Sequence, residues 1–458
     1  MHTPVSVILL AAGEGSRMRS ATPKPLFPLC GIPMMSHVLK AAKALQTEGV
    51  PLTVVGYGAE EIRAHYGERL AYCAQGEQKG SGAALLAALP YIKQQGGRIL
   101  VLACDVPLLR EQTLATLAQI DCDAAFLTAK PEDLSGYARV LRDWDSHVLG
   151  IAEEDALADA QKTVREVRVS AYCFSAERLV EILTSLPAAE ASERSMADIV
   201  AAFLKAGYMV QTMPIEPEEA LAVNDRVQLS QATAVLRRRV NRGHMLAGVT
   251  MIDPEQTYID AGVKIGRDCT IYPGVVLEGS TVIGEGTTLY PACRIVDSQF
   301  GKHCAAQGVV SKDAIVGDNV MLGPYVNLRP GTSLGNNCKV GNYIEVKNSN
   351  VGEGSKLPHL SYIGDGDVGR HVNLGCGTVF VNYDGYKKHR TVIGDNVFIG
   401  CHTSLVAPVT VGEGAFTAAG SVITEEVPAG ALAVARAKQV NKLDYVAKLK
   451  VKRGEIKE

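Results

Sequence analysis

The chain has 458 residues, which is too long for one ordinary hydrophobic core and predicts two or more domains. Apolar residues make up 47% of the sequence and charged residues 21%, a balance typical of soluble globular proteins. The formal net charge of −3 argues against a general attraction to nucleic acid or to membrane surfaces.

The cysteines and the apolar runs predict a cytoplasmic protein. The 11 cysteines stand singly, without a Cys-x-x-Cys pair, which is typical of reduced thiols rather than of a disulfide framework. The sequence begins without a basic stretch followed by an apolar segment, so we expect no signal peptide. The apolar runs are also too short to span a bilayer.

Residues 1–225 alternate apolar runs with amphipathic stretches rich in Ala and Leu. Continuous apolar runs are typical of buried parallel strands, and their alternation with helices predicts a doubly wound, Rossmann-like α/β domain. Ligands of such sheets lie beyond the carboxyl ends of the strands. The runs are VSVILL (5–10), LTVVGYG (52–58), RILVLACD (98–105), DAAFLTA (123–129), VRVSAYCF (167–174) and YMVQTMPI (208–215).

A glycine turn, AAGEGSRM (11–18), follows the first run and suggests a phosphate site. It is not a P-loop, and Met18 stands where a dinucleotide fingerprint has its third glycine. A tight strand-to-helix turn would also require glycine, so that structural explanation stays open. Arg17 and Lys24 favour the functional one, because two cations beside a helix start suit a polyphosphate.

Asp105 ends another apolar run and is followed by Val and Pro. An Asp in this place is often a helix cap. Because Asp105 lies on the same side of the predicted sheet as the glycine turn, we expect it to be a Mg²⁺ ligand. QGEQKGSG (75–82) and VND (223–225) are further polar stretches of this half.

The second half follows a different pattern. Residues 226–248 are predicted to form a connecting helix, whose arginines favour a solvated face over a nucleic-acid patch. From 249 to 430 an aliphatic residue recurs every six positions, which predicts a parallel β-helix in which each coil stacks on the next. Phase slips at 346–351, 363–368 and 380–392 predict loops at a binding face, and 431–458 form a C-terminal tail. The six-residue series run from Ile265 to Ile295, Val316 to Val346 and Ile393 to Val411.

These motifs together resemble a known enzyme family. LAAGEGSRM…PKPL, QGEQKGSG, DVP and VND resemble the nucleotidyltransferase domain of sugar-nucleotide pyrophosphorylases. With the hexapeptide half added, nearly all of the chain resembles the bacterial bifunctional N-acetylglucosamine-1-phosphate uridylyltransferase/glucosamine-1-phosphate acetyltransferases. The resemblance implies a left-handed β-helix, acetyl transfer from acetyl-CoA to glucosamine 1-phosphate, and then uridylyl transfer from UTP with release of pyrophosphate. The product, UDP-N-acetylglucosamine, would serve peptidoglycan and lipopolysaccharide synthesis.

The resemblance also implies roles in the first half. Arg17 and Lys24 would act on the triphosphate, and Asp105 and Asn224 would bind Mg²⁺. The sugar would contact Ala138, Glu153, Arg168 and Asn224. The nucleotide would contact Leu10, Ala11, Ala12, Gly13, Gln75, Gly80 and Ser81.

In the second half, the resemblance implies that His359 is the general base and that Glu345 orients its ring. A lone histidine is more often structural, but this one lies in a phase-slip region beside other polar residues. The phosphosugar would contact Arg329, Lys347, Tyr362, Asn373 and Lys388. Acetyl-CoA would contact Asn382, Tyr383, Cys401, Ala419 and Arg436, with Lys438 nearby. The family further implies a homotrimer whose active sites are shared between neighbours.

Three other functions remain open at this point. The chain could transfer nucleotides to a different sugar phosphate with a regulatory β-helix, be an acetyltransferase with a weakly active first half, or bind nucleotide as a non-catalytic scaffold. Departures from the family keep sugar specificity open: Cys104, Ala138, Arg168, Ser170, Cys401 and ASERSMAD (191–198). Arg168 either points to solvent or enters the pocket and changes which sugar is accepted, favouring one with an extra acidic or hydroxyl group.

Overall fold

The computed structural model describes residues 4–43, 45, 49–76, 80–186 and 194–455. These residues divide into two compact units, Met1–Val240 and Asn241–Glu458. Parts of two sequence motifs, residues 77–79 of QGEQKGSG and residues 191–193 of ASERSMAD, lie outside the described residues. None of the helices in the described part combines the length and the apolar character needed to cross a bilayer.

The first unit is built on one mixed β-sheet. Its strands follow the order β11-β7-β10-β6-β1-β4-β5, with the hairpin β8–β9 joined to β10, while β2 pairs with β3 separately. The strands are β1 (Val5–Ala11), β2 (Pro28–Leu29), β3 (Ile32–Pro33), β4 (Leu52–Val55), β5 (Ala71–Ala74), β6 (Arg98–Ala103), β7 (Ala124–Ala129), β8 (Arg139–Arg142), β9 (Val148–Ala152), β10 (Val167–Ser175) and β11 (Val210–Pro214).

Helices cover both faces of this sheet, as the alternating pattern predicts. One hydrophobic cluster packs α1, α2 and α5 on one face, and another packs α3, α4, α6 and α7 on the other. The central strands are buried on both sides, which explains their continuous apolar runs. The helices are α1 (Met34–Lys43), α2 (Ala59–Tyr66), α3 (Ser81–Ala87), α4 (Leu89–Ile92), α5 (Glu111–Gln119), α6 (Ala176–Ser185), α7 (Met196–Lys205) and α8 (Arg226–Leu246).

The direction of β10 corrects the expectation of parallel strands. β10 runs antiparallel to both β6 and β7, whereas β1 is parallel to β4 and β6. A strand buried on both faces has the same composition in either direction, so its apolar run carries no information about polarity. The sequence analysis also missed β5, β8 and β9, which are shorter or less completely buried.

Helix α8 contains the boundary between the two units, at Val240 and Asn241. Its first residue, Arg226, places its guanidinium 4.2 Å from the ring centre of Phe27. Arg239 is half-buried and donates a hydrogen bond to the Leu108 carbonyl at 2.6 Å. Two arginines of this helix, Arg226 and Arg239, therefore contact their own unit, and Arg239 does not lie wholly in solvent.

The second unit is a three-faced parallel β-helix. Strands pair with strands about 18 positions further along, as Ile265 does with Ile283 and Ile271 with Leu289. The third face contains Lys264–Ile265, Val282–Ile283, Gln299–Phe300, Ala314–Val316, Thr332–Leu334, Asn350–Val351, Gly366–Val368, Thr391–Ile393 and Val409–Val411.

The other two faces share the long strands Lys339–Lys347 and Lys356–Gly364. One contains Thr250–Met251, Thr270–Ile271, Thr288–Leu289, Ala305–Ala306, Met321–Leu322, Asn373–Leu374, Phe398–Ile399, Phe416–Thr417 and Leu432–Ala433. The other contains Tyr258–Ile259, Val276–Glu278, Arg294–Val296, Val309–Lys312, Val326–Leu328, Val379–Val381, Ser404–Val406 and Val422–Ile423. A last helix, α9 (Tyr445–Lys452), lies in the predicted tail.

The six-residue series forms the interior of the β-helix. All of its residues from Ile271 onward are at most 4% exposed, whereas Ile265, in an early coil, is half-buried. At the phase slips the interior is filled by Val351, Val368 and Phe380. The longest slip leaves residues 382–390 as a mostly exposed loop between two strands.

Candidate active sites

The glycine turn lies at the carboxyl end of β1. Gly15 has φ +65°, and a Cβ there would lie 2.8 Å from the Lys24 Cβ, so this position requires glycine. Short 3₁₀ turns, Ser16–Met18 and Lys24–Leu26, follow and carry the two predicted cations. The turn has the structural function that the sequence left open, and it also brings Lys24 to the end of the sheet.

Lys24 joins the two predicted magnesium ligands. Its Nζ lies 2.6 Å from Asp105 Oδ2 and 3.1 Å from Asn224 Oδ1. Asp105 follows β6, and its carbonyl accepts a hydrogen bond from the Val223 amide at 2.8 Å. Residues about 80 and 200 positions apart therefore present a cation and two oxygen ligands at one point.

This point belongs to a cavity of about 920 Å³ in the first unit. Predicted site residues that line it are Leu10, Ala12, Gly13, Arg17, Gln75, Gly80, Ser81, Asp105, Ala138, Arg168 and Asn224. Ala11 is not among them, because alternation along β1 directs its side chain into the core, where it is 2% exposed. Lys24 and Glu153 do not line the cavity themselves. Lys24 forms an ion pair with the lining residue Asp105, and Glu153 forms one with the lining residue Arg168.

The sequence analysis missed several lining residues, among them Glu14, Tyr57, Gly136, Tyr137, Tyr172, Met196, Ala220 and Ala222. Tyr172 was accessible to sequence reasoning, because it lies four positions after Arg168 on the same strand. Tyr137 directly precedes Ala138, and its hydroxyl donates to the Ala220 carbonyl at 3.2 Å. Burial raises the pKa of this hydroxyl, so it remains protonated.

The part of the cavity lined by Gln75, Gly80 and Ser81 is held by contacts between separate segments of the chain. The Gln75 side chain donates to the Gly80 carbonyl at 2.9 Å, and the Ser81 hydroxyl accepts from the Met196 amide at 3.0 Å. Cys104 lies behind this wall, with its Sγ 3.0 Å from the Leu10 carbonyl. Burial, aided by the neighbouring Asp105, raises the pKa of the Cys104 thiol to about 12, so this cysteine is not a nucleophile.

Arg168 enters the cavity wall and does not point to solvent. Its side chain is 15% exposed, and its Nη1 donates to the Tyr172 hydroxyl at 2.7 Å. Its Nη2 lies 3.4 Å from both carboxylate oxygens of Glu153. Burial opposes the charge, but Tyr172 and Glu153 outweigh it and raise the pKa of Arg168. The guanidinium is therefore a permanent charge at this end of the cavity.

In the second unit, His359 lies on the strand Lys356–Gly364, opposite Asn342 on Lys339–Lys347. Its Nδ1 is 2.8 Å from Asn342 Oδ1. Glu345 was expected to orient this ring, and here the structure corrects the expectation. Glu345 lies opposite Tyr362 in the strand register and accepts a hydrogen bond from Arg329 at 2.8 Å.

A polar cluster surrounds Asp365, which directly follows the strand that carries His359. Asp365 accepts hydrogen bonds from Asn348 at 2.6 Å and Asn382 at 2.5 Å, and Lys347 Nζ lies 3.7 Å away. Burial opposes its ionisation, but the two amide donors outweigh burial and lower the pKa of Asp365. Lys347 in turn lowers the pKa of Lys388, as expected for two neighbouring ammonium groups. The sequence analysis did not single out Asp365 or Asn342.

The other predicted residues of this half are spread over neighbouring coils. Asn373 begins the strand Asn373–Leu374, one coil beyond Lys356. Tyr383 is 57% exposed and donates to the Gly385 carbonyl at 2.6 Å. Cys401 and Arg436 are exposed, and the Ala419 amide packs closely on Gly400 of the preceding coil.

Comparisons with known proteins agree with this division. The family model of the MobA-like NTP transferase domain matches residues 7–202. The model of the bacterial transferase hexapeptide (six repeats) matches 313–343 and 390–425. The fold class is an α/β nucleotidyltransferase domain followed by a left-handed parallel β-helix.

Full-length relatives are named "Bifunctional protein GlmU". The relative from Geobacillus sp. (strain WCH70) is 42% identical over 453 residues, with 98% of each chain covered. The one from Heliobacterium modesticaldum is 44% identical over 456 residues, covering 98% of this chain and 99% of the other. The one from Caldanaerobacter subterraneus subsp. tengcongensis is 42% identical over 461 residues, covering 100% of both.

The chain therefore joins a nucleotidyltransferase to a hexapeptide-repeat acyltransferase. It belongs to the GlmU family of bifunctional enzymes. Acetyltransferase and uridylyltransferase activities in UDP-N-acetylglucosamine synthesis follow from this membership. A purely regulatory β-helix and a non-catalytic nucleotide scaffold are thereby set aside.

Proposed function

We propose that the cavity of the first unit is the uridylyltransferase site, with UTP at the glycine turn and N-acetylglucosamine 1-phosphate at the end formed by Ala138 and Arg168. The observation that carries this proposal is the convergence of Lys24, Asp105 and Asn224 at 2.6 and 3.1 Å. Arg17 and Lys24 would contact the triphosphate, whose negative charge suits cations at a helix start.

Asp105 and Asn224 suit Mg²⁺. Their carboxylate and amide oxygens already share one cation, the Lys24 ammonium, and hard oxygen ligands are those that Mg²⁺ prefers. Bound Mg²⁺ would neutralise charge on the phosphates. The two side chains would hold the ion, while Lys24 would be free to donate to phosphate oxygens.

The reaction needs no protein nucleophile. An oxygen of the sugar 1-phosphate attacks the α-phosphorus of UTP, the bond between the α-phosphorus and the bridging oxygen breaks, and pyrophosphate leaves with the electron pair. The protein aligns the two anions and offsets their charge. Leu10, Gly13, Gln75 and Gly80 would fix the nucleotide.

We propose His359 as the general base for acetyl transfer. With Asn342 Oδ1 as acceptor, Nδ1 carries the hydrogen, so Nε2 keeps the lone pair that takes a proton from the attacking amine. The amine adds to the thioester carbonyl, the carbon–sulfur bond breaks, and coenzyme A leaves. Lys347 and Lys388 would bind the substrate phosphate, and Arg329 would hold Glu345 beside it.

We further propose that this cytoplasmic enzyme is a homotrimer, with acetyltransferase sites completed by a neighbouring chain. The supporting observation is that His359, Tyr383, Cys401 and Arg436 are exposed on the β-helix surface. The tail residues Arg436 and Lys438 are candidates to serve a neighbour. The product would supply peptidoglycan and lipopolysaccharide synthesis.

Complementation tests the shared site. His359→Ala and Arg436→Ala homotrimers should each be impaired in acetyl transfer, and co-refolded mixtures should regain activity at sites that carry neither change. A soluble monomer with full activity, measured by light scattering and assay together, would contradict the shared-site proposal. Activity of the first site is tested by pyrophosphate release from UTP with a panel of sugar phosphates, with and without Mg²⁺.

A further inference from the structure

Arg168 places a fixed positive charge in the wall of the uridylyltransferase cavity. Its partner Glu153 is not part of that wall and is 37% exposed, whereas the Arg168 side chain is 15% exposed. Solvent therefore screens the carboxylate more than it screens the guanidinium. At this part of the wall, a ligand contacts the cation before its carboxylate partner Glu153.

Arg168 also retains an unused donor. Its Nε is buried without a hydrogen-bond partner in the described part of the chain, while Nη1 is held by Tyr172. Guanidinium groups have donors and no acceptor, so they suit carbonyl or hydroxyl oxygens and disfavour a second cation. The charge of Arg168, rather than its buried Nε, therefore selects among the substituents that a sugar presents.

The two phosphosugars of this enzyme differ in that respect. Glucosamine 1-phosphate carries an amine that is an ammonium ion near neutral pH, whereas its acetylated product carries a neutral amide with a carbonyl oxygen. Both carry the same phosphate, so the phosphate-binding groups cannot separate them. The discrimination has to come from groups that meet the nitrogen substituent.

We propose that Arg168 is a specificity-determining residue that rejects the ammonium form of the sugar, so that uridylyl transfer follows acetylation. The inference rests on the proposed sugar position in the cavity. Like-charge repulsion at a poorly solvated site lowers the affinity for glucosamine 1-phosphate, and loss of the ammonium proton removes the repulsion. Arg168 itself does not titrate in the working range.

The test uses the full-length enzyme with UTP and without acetyl-CoA, so that the amine is not converted. Glucose 1-phosphate and glucosamine 1-phosphate compete for uridylyl transfer at about pH 7 and about pH 9. These pH values bracket the pKa of the glucosamine amine, which is about 8 for an amine beside electron-withdrawing groups. Competition gives the ratio of kcat/KM values, from which every effect of pH that acts equally on the two sugars cancels. The charged and titratable groups around Arg168 are Glu153, Tyr172 and Asp105. Glucose 1-phosphate lacks the acetyl group, so size and amide contacts do not enter.

Near pH 7 we expect kcat/KM for glucose 1-phosphate to exceed that for glucosamine 1-phosphate by roughly tenfold, and near pH 9 we expect the ratio to approach one. A tenfold ratio is a modest fraction of the repulsion energy that two unit charges can produce. Arg168→Gln should abolish this pH dependence, whereas Arg168→Lys, which keeps the charge, should preserve it. The same preference at both pH values in the wild type, or an unchanged pH dependence in Arg168→Gln, would overturn the inference. A wild type that uridylylates none of these sugars or N-acetylglucosamine 1-phosphate would overturn the proposed function as well.

Discussion

The two proposed sites differ in how far one chain completes them. In the first unit, Lys24 and Arg168 are 12% and 15% exposed and belong to, or contact, the lining of one cavity of about 920 Å³. In the second unit, His359 and Arg436 are exposed on a β-helix surface. Loops at the end of an open sheet can surround a ligand, whereas the stacked coils of a β-helix present flat faces. The comparison indicates that a single chain forms the first site, whereas the second site requires a further protein surface.

One of the two largest effects should come from Asp105→Ala. We expect uridylyl transfer to fall by about 10²–10³-fold, because the variant removes a proposed magnesium ligand and the carboxylate that contacts Lys24. Acetyl transfer should be unchanged. The measurement is the pair of half-reactions on one preparation, with Asp145→Ala, on an exposed hairpin, as the control. Equal losses in both half-reactions would contradict independent sites.

His359→Ala should have the opposite effect on the two half-reactions. Acetyl transfer should fall by roughly 10²–10⁴-fold, the usual contribution of a positioned general base. Uridylyl transfer by the same protein is the control and should keep its kcat/KM. Acetylation at close to the wild-type rate would show that another group takes the proton.

Asn342 sharpens the assignment inside the second site. Asn342→Ala should lower kcat for acetyl transfer by about tenfold, because outer partners of a histidine ring typically contribute that much. Asn342→Asp retains an acceptor for Nδ1 and should recover most of the rate. Glu345→Gln should act mainly on KM for glucosamine 1-phosphate, since Glu345 contacts Arg329. A kcat loss in Glu345→Gln alone would restore the original expectation that Glu345 orients the ring.

That expectation failed for a reason that lies in the register of the coils. Paired strands of the β-helix are commonly offset by 16 to 18 positions, and Glu345 would face His359 only at an offset of 14. Here the coil has 17 positions, so Asn342 pairs with His359 and Glu345 with Tyr362. The period predicts the β-helix and its interior, because repetition averages over many coils. It does not predict a contact across a single phase slip.

The first unit shows the same limit in another form. Asp105 and the glycine turn each follow a predicted strand. The sequence therefore predicts both at the carboxyl edge of the sheet, where ligands of α/β folds bind. The antiparallel direction of β10 could not be predicted, and that strand brings Arg168 and Tyr172 into the cavity. Whether Arg168 faced solvent or ligand depended on this strand, so the sequence left both outcomes open.

The two regions also differ in cysteine chemistry. All 11 cysteines lie in the described part of the chain, and Cys401 alone is exposed. Cys104, whose Sγ contacts the carbonyl of the cavity residue Leu10, is buried, and burial raises the pKa of its thiol to about 12, so it stays protonated and unreactive at pH 8. Alkylation should therefore distinguish the β-helix site from the uridylyltransferase site.

We expect iodoacetamide at about pH 8 to modify Cys401 and to lower acetyl transfer by roughly fivefold, about 1 kcal/mol, because the added group takes up space at the proposed acetyl-CoA site. Uridylyl transfer should not change. Saturating acetyl-CoA should slow the modification, and Cys401→Ser should make acetyl transfer insensitive to the reagent. Mass spectrometry of the labelled peptides, read alongside both assays, gives the answer. If acetyl-CoA leaves the labelling rate of Cys401 unchanged, this residue lies outside the coenzyme site, and the open face of the β-helix binds its donor elsewhere.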